Sequence, residues 1–132
     1  MIPYLVDAGI GMICWSPLAR GILSGTPDGS TKRSNTDLNR KNLIKSSPSL
    51  EAILAAVSQI AEKRGVSCSQ VALAWLFSKP YLTAPIVGCG KEKYLEEAVA
   101  ALEITLTPEE IEALEKPYQP RPIFGFMPGK LL

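Results

Sequence analysis

The sequence predicts a parallel α/β fold, and an incomplete one. A short continuous apolar run, Ile10-Gly11-Met12-Ile13-Cys14-Trp15, is bounded by glycine and by Ser16-Pro17, the pattern of a strand buried on both faces. A second run, Ala84-Pro85-Ile86-Val87, ends at Gly88-Cys89-Gly90. Helical periodicity fills the interval between the runs and the stretch after them, which is the alternation of a parallel sheet. Two strands are too few for an independent sheet or a closed barrel, so the pattern reads as a piece of something larger.

Each element has a local reason. Residues 3–8 read as the last turns of a helix, with Gly9 where a left-handed C-terminal cap belongs. After the first strand, residues 26–49 change character: serine, threonine, asparagine, glycine and proline accompany five basic residues, Lys32, Arg33, Arg40, Lys41 and Lys45. This reads as one long loop, either a functional lid or a disordered segment. Ser47-Pro48 then reads as N-cap and first helical residue, with Leu50, Ile53, Leu54, Val57, Ile60 and Ala61 on one face and Gly65 as the stop. Ser67 and Gln70 form a capping box, with Val66 and Val71 spaced as a hydrophobic staple, and open a helix that Pro80 stops. Pro85 favours the start of the second strand over its middle. Leu95, Ala98, Val99 and Leu102 recur at helical spacing, and Thr107-Pro108-Glu109-Glu110 is a further capping box before a last helix ending near Lys116. Residues 117–132 form a C-terminal tail, whose proline-rich stretch 117–128 reads as extended.

Composition excludes whole classes of function. The 132 residues suit one domain, and 46% apolar content marks a globular chain. Fourteen basic and thirteen acidic residues give a net charge of +1, so no overall field selects nucleic acid or an anionic membrane. The basic residues of 26–49 lack the aromatic platforms that nucleic-acid binding uses. With no histidine, the commonest general base and every Ser-His or Cys-His nucleophile are gone. Cys14, Cys68 and Cys89 are odd in number and widely spaced, so neither a disulfide framework nor a zinc site is predicted, and a reducing, cytoplasmic setting fits. The longest uncharged run, residues 8–19, is too short to span a bilayer, and no signal peptide is predicted.

Ligands of α/β proteins sit at the carboxyl ends of strands, so the two strand exits carry most of the functional information. The first is Ser16-Pro17-Leu18-Ala19-Arg20-Gly21-Ile22-Leu23-Ser24-Gly25, which combines a hydroxyl, a guanidinium and glycines. It admits two readings, a phosphate cradle or a tight turn with a solvent-exposed arginine. The second is Gly88-Cys89-Gly90-Lys91, immediately before the helix bearing Tyr94 and Glu97. Backbone N–H groups and a lysine converge there, which suits an anion or merely ends a strand. A thiolate role for Cys89 has no base beside it in the sequence. Trp15 and Trp75 read as core, and the glutamates of the last two helices (Glu92, Glu96, Glu97, Glu103, Glu109, Glu110, Glu112, Glu115) mostly as a solvated face, with Glu97 singled out.

Taken together, these junctions and the helices between them resemble the C-terminal part of the aldo-keto reductase superfamily. Residues 11–23, read as a hydrophobic strand followed by Ser16-Pro17-Leu18-Ala19-Arg20-Gly21-Ile22-Leu23, are similar to the family's seventh strand and its loop. Ser69-Gln70-Val71-Ala72-Leu73-Ala74-Trp75-Leu76 is similar to its next signature, and Pro85-Ile86-Val87-Gly88 with Leu95-Glu96-Glu97-Ala98 to the eighth strand and its helix. Leu106-Thr107-Pro108-Glu109-Glu110-Ile111 and Pro117-Tyr118-Gln119-Pro120 resemble fungal members of the aryl-alcohol dehydrogenase or versiconal reductase type. The resemblance implies the last two strand-helix units and closing helices of a (β/α)8 barrel, with residues 1–132 as one partial domain.

It also implies NADPH-dependent reduction of an aldehyde or ketone to an alcohol. The family's catalytic Asp, Tyr, Lys and His would lie upstream of Met1, so no catalytic and no metal-binding residue is assigned in this chain. Met1-Ile2-Pro3-Tyr4 resembles an internal stretch of the fungal members, which suggests a late start, a truncated gene model or a decayed gene. Cofactor binding carries over. Ser16, Leu18, Gly21 and Leu23 would line the pyrophosphate, with Arg20 close by. Gly88, Cys89, Gly90 and Lys91 would face the adenosine 2′-phosphate, and Tyr94 and Glu97 the adenine and its ribose. Tyr94 stands where the family commonly has Arg, Gln or His, and Ala98 where it often has Asn. The alternative is a non-catalytic remnant or NADPH-binding module. Either way, a barrel face left open implies self-association.

Overall fold

The computed structural model describes residues 1–25 and 36–120. Helix α1 (Ile2–Asp7) leads through Gly9, at φ +63°, into strand β1 (Met12–Trp15). A 3-10 segment (Ala19–Ser24) follows. Helices α2 (Leu38–Lys45), α3 (Leu50–Arg64) and α4 (Cys68–Phe77) then lead to strand β2 (Leu82–Ile86), and α5 (Glu92–Ala100) and α6 (Pro108–Glu115) close the described chain. Among the described residues the sheet has two strands, paired in parallel, with Ile13 opposite Ala84, Cys14 opposite Pro85 and Trp15 opposite Ile86. The register skips Thr83, whose hydroxyl stands 2.2 Å from where a Cβ on Gly11 would sit. Only glycine leaves room for that approach.

A parallel pair needs a long crossover, and here the crossover carries the core. Val57, Ile60 and Ala61 form one stripe of α3 and pack against Val71 and Ala74 of α4 and Leu106 and Leu114 at α6. Gly65, at φ +65°, turns α3 into α4 and lets Val66 N–H reach the Ala61 carbonyl. Both expected capping boxes form, Ser67 with Gln70 and Thr107 with Glu110. Glu110 also ties α6 to α3: its carboxylate accepts from Arg64 Nε at 2.8 Å and Nη2 at 2.5 Å, while Arg64 Nη2 donates to the Thr105 carbonyl.

Several expectations need correction. The strands are not covered on both faces. Met12 and Cys14 are half-buried, but Ile13, Trp15 and Ile86 are 63%, 70% and 50% exposed, because the helices of the described residues cover only one side. Trp15 is therefore not core, whereas Trp75 is half-buried against the cluster and donates its indole N–H to Glu115 at 2.9 Å. Pro85 lies inside β2 rather than at its start, and Val87 falls outside it. A proline is tolerated where its missing N–H leaves no ladder bond unmade. Helix α3 begins two residues later than Ser47-Pro48 implied, with Ser49 as N-cap, because the Ser47 hydroxyl donates back to the Leu43 carbonyl at 2.7 Å. That carbonyl belongs to α2, which occupies residues the sequence assigned to a loop; residues 26–35 of that loop lie outside the described residues, as does 121–132 of the tail. On α5, Leu95 and Val99 are exposed rather than packed, as is Leu102 in the 3-10 turn that follows it. Of the glutamates, Glu110 is 9% exposed and so does not belong to a solvated face, whereas Glu115 stays exposed while pairing with Lys79.

Two predictions follow from these contacts. The Arg64 hydrogen bonds hold the Glu110 carboxyl down to about 2 from its usual 4.5. A depressed carboxylate stabilises the fold above its unfolded pKa, and that stabilisation is lost as pH falls through the folded value. The denaturation midpoint is therefore expected to drop between about pH 5 and pH 2, and Glu110→Gln to flatten that slope and cost about 1–2 kcal/mol at neutral pH, read by urea titration. Gly65→Ala meets no atom within 4 Å, so its expected loss of about 1 kcal/mol is backbone strain alone.

Candidate functional site

The parallel register sets the geometry of the site. Trp15 and Ile86 are opposite one another at the carboxyl ends of β1 and β2, so the two loops singled out in the sequence leave the same end of the sheet.

The first loop is held in a costly conformation. Ser16, Ala19 and Arg20 have φ of 58°, 48° and 59°, a region that disfavours side chains, and Gly21 follows at 82°. Internal bonds fix it. Ala19 N–H donates to the Ser16 carbonyl and Arg20 N–H to the Ser16 hydroxyl at 3.0 Å, while the N–H groups of Gly21 and Leu23 both donate to the Leu18 carbonyl. These backbone donors are engaged within the loop, which leaves the Arg20 side chain as its cationic donor for an anion. That side chain is not the solvent-exposed arginine of a plain turn. It is 22% exposed, donates from Nη1 to Asp37 Oδ2 at 2.8 Å, and lies 5.0 Å from the centre of the Trp15 ring. Asp37 also accepts the Arg40 N–H at 3.1 Å as N-cap of α2, and that bond, followed by the one from Arg20, holds its carboxyl below the usual carboxylate range.

Behind this loop lies a cavity of about 540 Å³. Of the residues expected at the pyrophosphate, Ser16, Arg20 and Leu23 line it; Leu18 and Gly21 belong to the same loop without lining the cavity. Much of the remaining wall comes from Trp15, from Asn39 and Leu43 of α2, from Leu50 and Ile53 of α3, and from Tyr118 and Gln119. Ser49 fastens the last of these by accepting the Gln119 N–H at 3.3 Å. The cavity is thus an apolar slot with a guanidinium at its rim.

The second loop stands apart from that cavity. Gly88, Cys89, Gly90, Lys91 and Tyr94 are exposed and Glu97 half-buried. Helix α5 begins at Lys91 without a side-chain cap, the Lys91 ammonium lies 5.9 Å from the centre of the Tyr94 ring, and Glu97 meets Lys93 at 3.6 Å. Cys89, like Cys14 and Cys68, is a free thiol. The structure thus places the eleven assigned residues as two clusters, joined by strand pairing. Sequence reasoning missed Trp15, Asp37 and α2 as parts of the site. Asp37-Leu38 carries an N-cap signal, but Arg40 occupies the position where a capping box has Glu or Gln.

Comparison with known proteins agrees with this architecture. Residues 1–119 match the aldo/keto reductase family. Versiconal hemiacetal acetate reductase of Aspergillus parasiticus is 45% identical over 126 residues, 93% of this chain and 36% of the relative. A Schizosaccharomyces pombe protein named as an aryl-alcohol dehydrogenase is 44% identical over 127 residues, 95% of this chain and 35% of its own length. The chain spans about a third of the length of the curated relatives it matches. In fold it is similar to the thermostable aldo-keto reductase Tm1743, solved with the inhibitor epalrestat, at a TM-score of 0.60 and 24% identity, covering 88% of this chain and 32% of that one. The two parallel strands, their loops and the intervening helices are a C-terminal part of the barrel architecture, and the chain belongs to the aldo/keto reductase family.

Proposed function

We propose that the chain is the nucleotide-holding part of an NADPH-dependent aldo-keto reductase, which reduces an aldehyde or ketone to the alcohol, with residues 1–132 forming part of one such domain. The observation that carries this reading is the juxtaposition of two cation-bearing loops at one end of a parallel sheet, one of them at the rim of an apolar cavity.

NADPH when bound supplies the hydride. The residues present fit such a group. Arg20 offers a charged donor to the pyrophosphate, Ser16 a hydroxyl, and Leu18, Gly21 and Leu23 the surface against which it lies. Lys91, with Gly88, Cys89 and Gly90 at the uncapped start of α5, offers the positive end of a helix and an ammonium to the 2′-phosphate. Tyr94 offers an exposed ring to adenine, and Glu97 a carboxylate to ribose hydroxyls. No residue of this chain is assigned the proton that accompanies hydride, and the carbonyl substrate is a small molecule.

A second reading is a nucleotide-binding module without turnover, and one feature favours it: the chain has no histidine, the commonest general acid and base. The open apolar face, with Ile13, Trp15 and Ile86, suits either further barrel strands or self-association. A cytoplasmic location fits the three free thiols, and no helix among the described residues is long and apolar enough to cross a membrane.

Fluorescence titration of the chain with NADPH tests binding. Arg20→Ala is expected to weaken NADPH and NADH alike by about tenfold, and Lys91→Ala to weaken NADPH by about tenfold while sparing NADH. Equal effects of Lys91→Ala on both nucleotides would remove the 2′-phosphate assignment. Immunocapture and intact-mass measurement of the natural polypeptide separates the readings: a mass well above 14.3 kDa favours the reductase, and 14.3 kDa the module.

A further inference from the structure

The geometry points to Asp37 as a positioning residue, which fixes the Arg20 guanidinium on the Trp15 ring at the rim of the cavity so that it is pre-ordered for an anionic ligand. This deepens the nucleotide reading and rests on it for the identity of the ligand; the arrangement of Asp37, Arg20 and Trp15 stands on the structure alone.

Three observations converge. Arg20 has a left-handed backbone, so its side chain leaves the loop in a direction an ordinary turn would not give it. Among the described residues its guanidinium has one hydrogen-bonding partner, Asp37, through Nη1 at 2.8 Å, and one ring contact, Trp15, at 5.0 Å. Asp37 cannot follow the arginine freely, because its other oxygen accepts the Arg40 N–H and starts α2. One carboxylate thus anchors a loop after β1 to a helix seventeen residues on, and the guanidinium is held over an aromatic ring.

The chemical consequence concerns a phosphate or pyrophosphate. A free arginine loses rotamer freedom when it binds an anion, and one already clamped does not. Against this, the Asp37 charge repels the same anion. Because the carboxylate accepts both the Arg40 backbone N–H and the Arg20 guanidinium, its charge is largely answered locally, and pre-ordering outweighs repulsion.

Asp37→Asn separates the two roles of the residue. Asparagine caps helices as well as aspartate, so α2 keeps its start, while the charged partner of Arg20 is lost. The measurements are the two tryptophan indole peaks in a ¹⁵N-correlated NMR spectrum and the affinity for NADPH at low and high salt. The expected result is a shifted Trp15 peak, an unmoved Trp75 peak, NADPH binding weakened by about tenfold and a partial return of both readouts in Asp37→Glu. Arg20→Lys breaks the same stack with the α2 cap untouched and is expected to shift the same peak, which covers the case in which the Asn variant fails to fold. An unmoved Trp15 peak, or NADPH bound by Asp37→Asn as tightly as before or more tightly, overturns the assignment. If the unsubstituted chain binds no NADPH, the nucleotide reading falls, and the Trp15 peak alone decides whether Asp37 positions Arg20.

Discussion

The parallel pairing of β1 with β2 is the constraint on which the rest depends. Two parallel strands cannot be joined by a hairpin, so residues 16–81 must travel back to the start of the sheet, and among the described residues they do so through a 3-10 segment and three α-helices. That crossover contains most of the core cluster of α3, α4 and α6, and it is covered by its own helices rather than by the sheet. The same pairing puts Trp15 beside Ile86 and so brings two glycine-bearing loops, far apart in sequence, to one edge. Fold and candidate site are consequences of a single register.

Charge is used sparingly, at the joints between elements. Glu110 completes the cap of α6 while gripping Arg64 at the end of α3, and Asp37 starts α2 while gripping Arg20. In both cases a capping carboxylate has a second oxygen to give to an arginine from a distant element. A cap alone is local and modest; a cap that also accepts a charge-assisted bond fixes the angle between two parts of the chain. The first joint serves the core and the second serves the cavity, which is why they invite different tests.

Much of this was legible from local chemistry. The boxes at Ser67 and Thr107, the left-handed stops at Gly9 and Gly65 and the family-like run from Ser16 to Leu23 depend on neighbouring residues alone, and the structure contains them. What escaped depends on distant partners. Helix α2 is mostly polar, Leu-Asn-Arg-Lys-Asn-Leu-Ile-Lys, and its anchoring cap is shared with Arg20, which no local pattern reveals. Ser47 was available as a cap but turned its hydroxyl to Leu43. Trp15 sits in a run that reads as doubly buried because its sequence suits a barrel strand, yet among the described residues it is 70% exposed, with the Arg20 guanidinium 5.0 Å from its ring. The continuous apolar run reads as a strand buried on both faces, and the described residues cover one of them.

In the proposed reading the two strand exits act together on one nucleotide. Backbone amide chemical-shift mapping of the chain during titration with NADPH tests it most directly. The amides of residues 16–23 and of residues 88–97 are expected to move together and saturate at one concentration. Shifts confined to one loop, two separate saturation points or changes scattered over the α3–α4 core would contradict it.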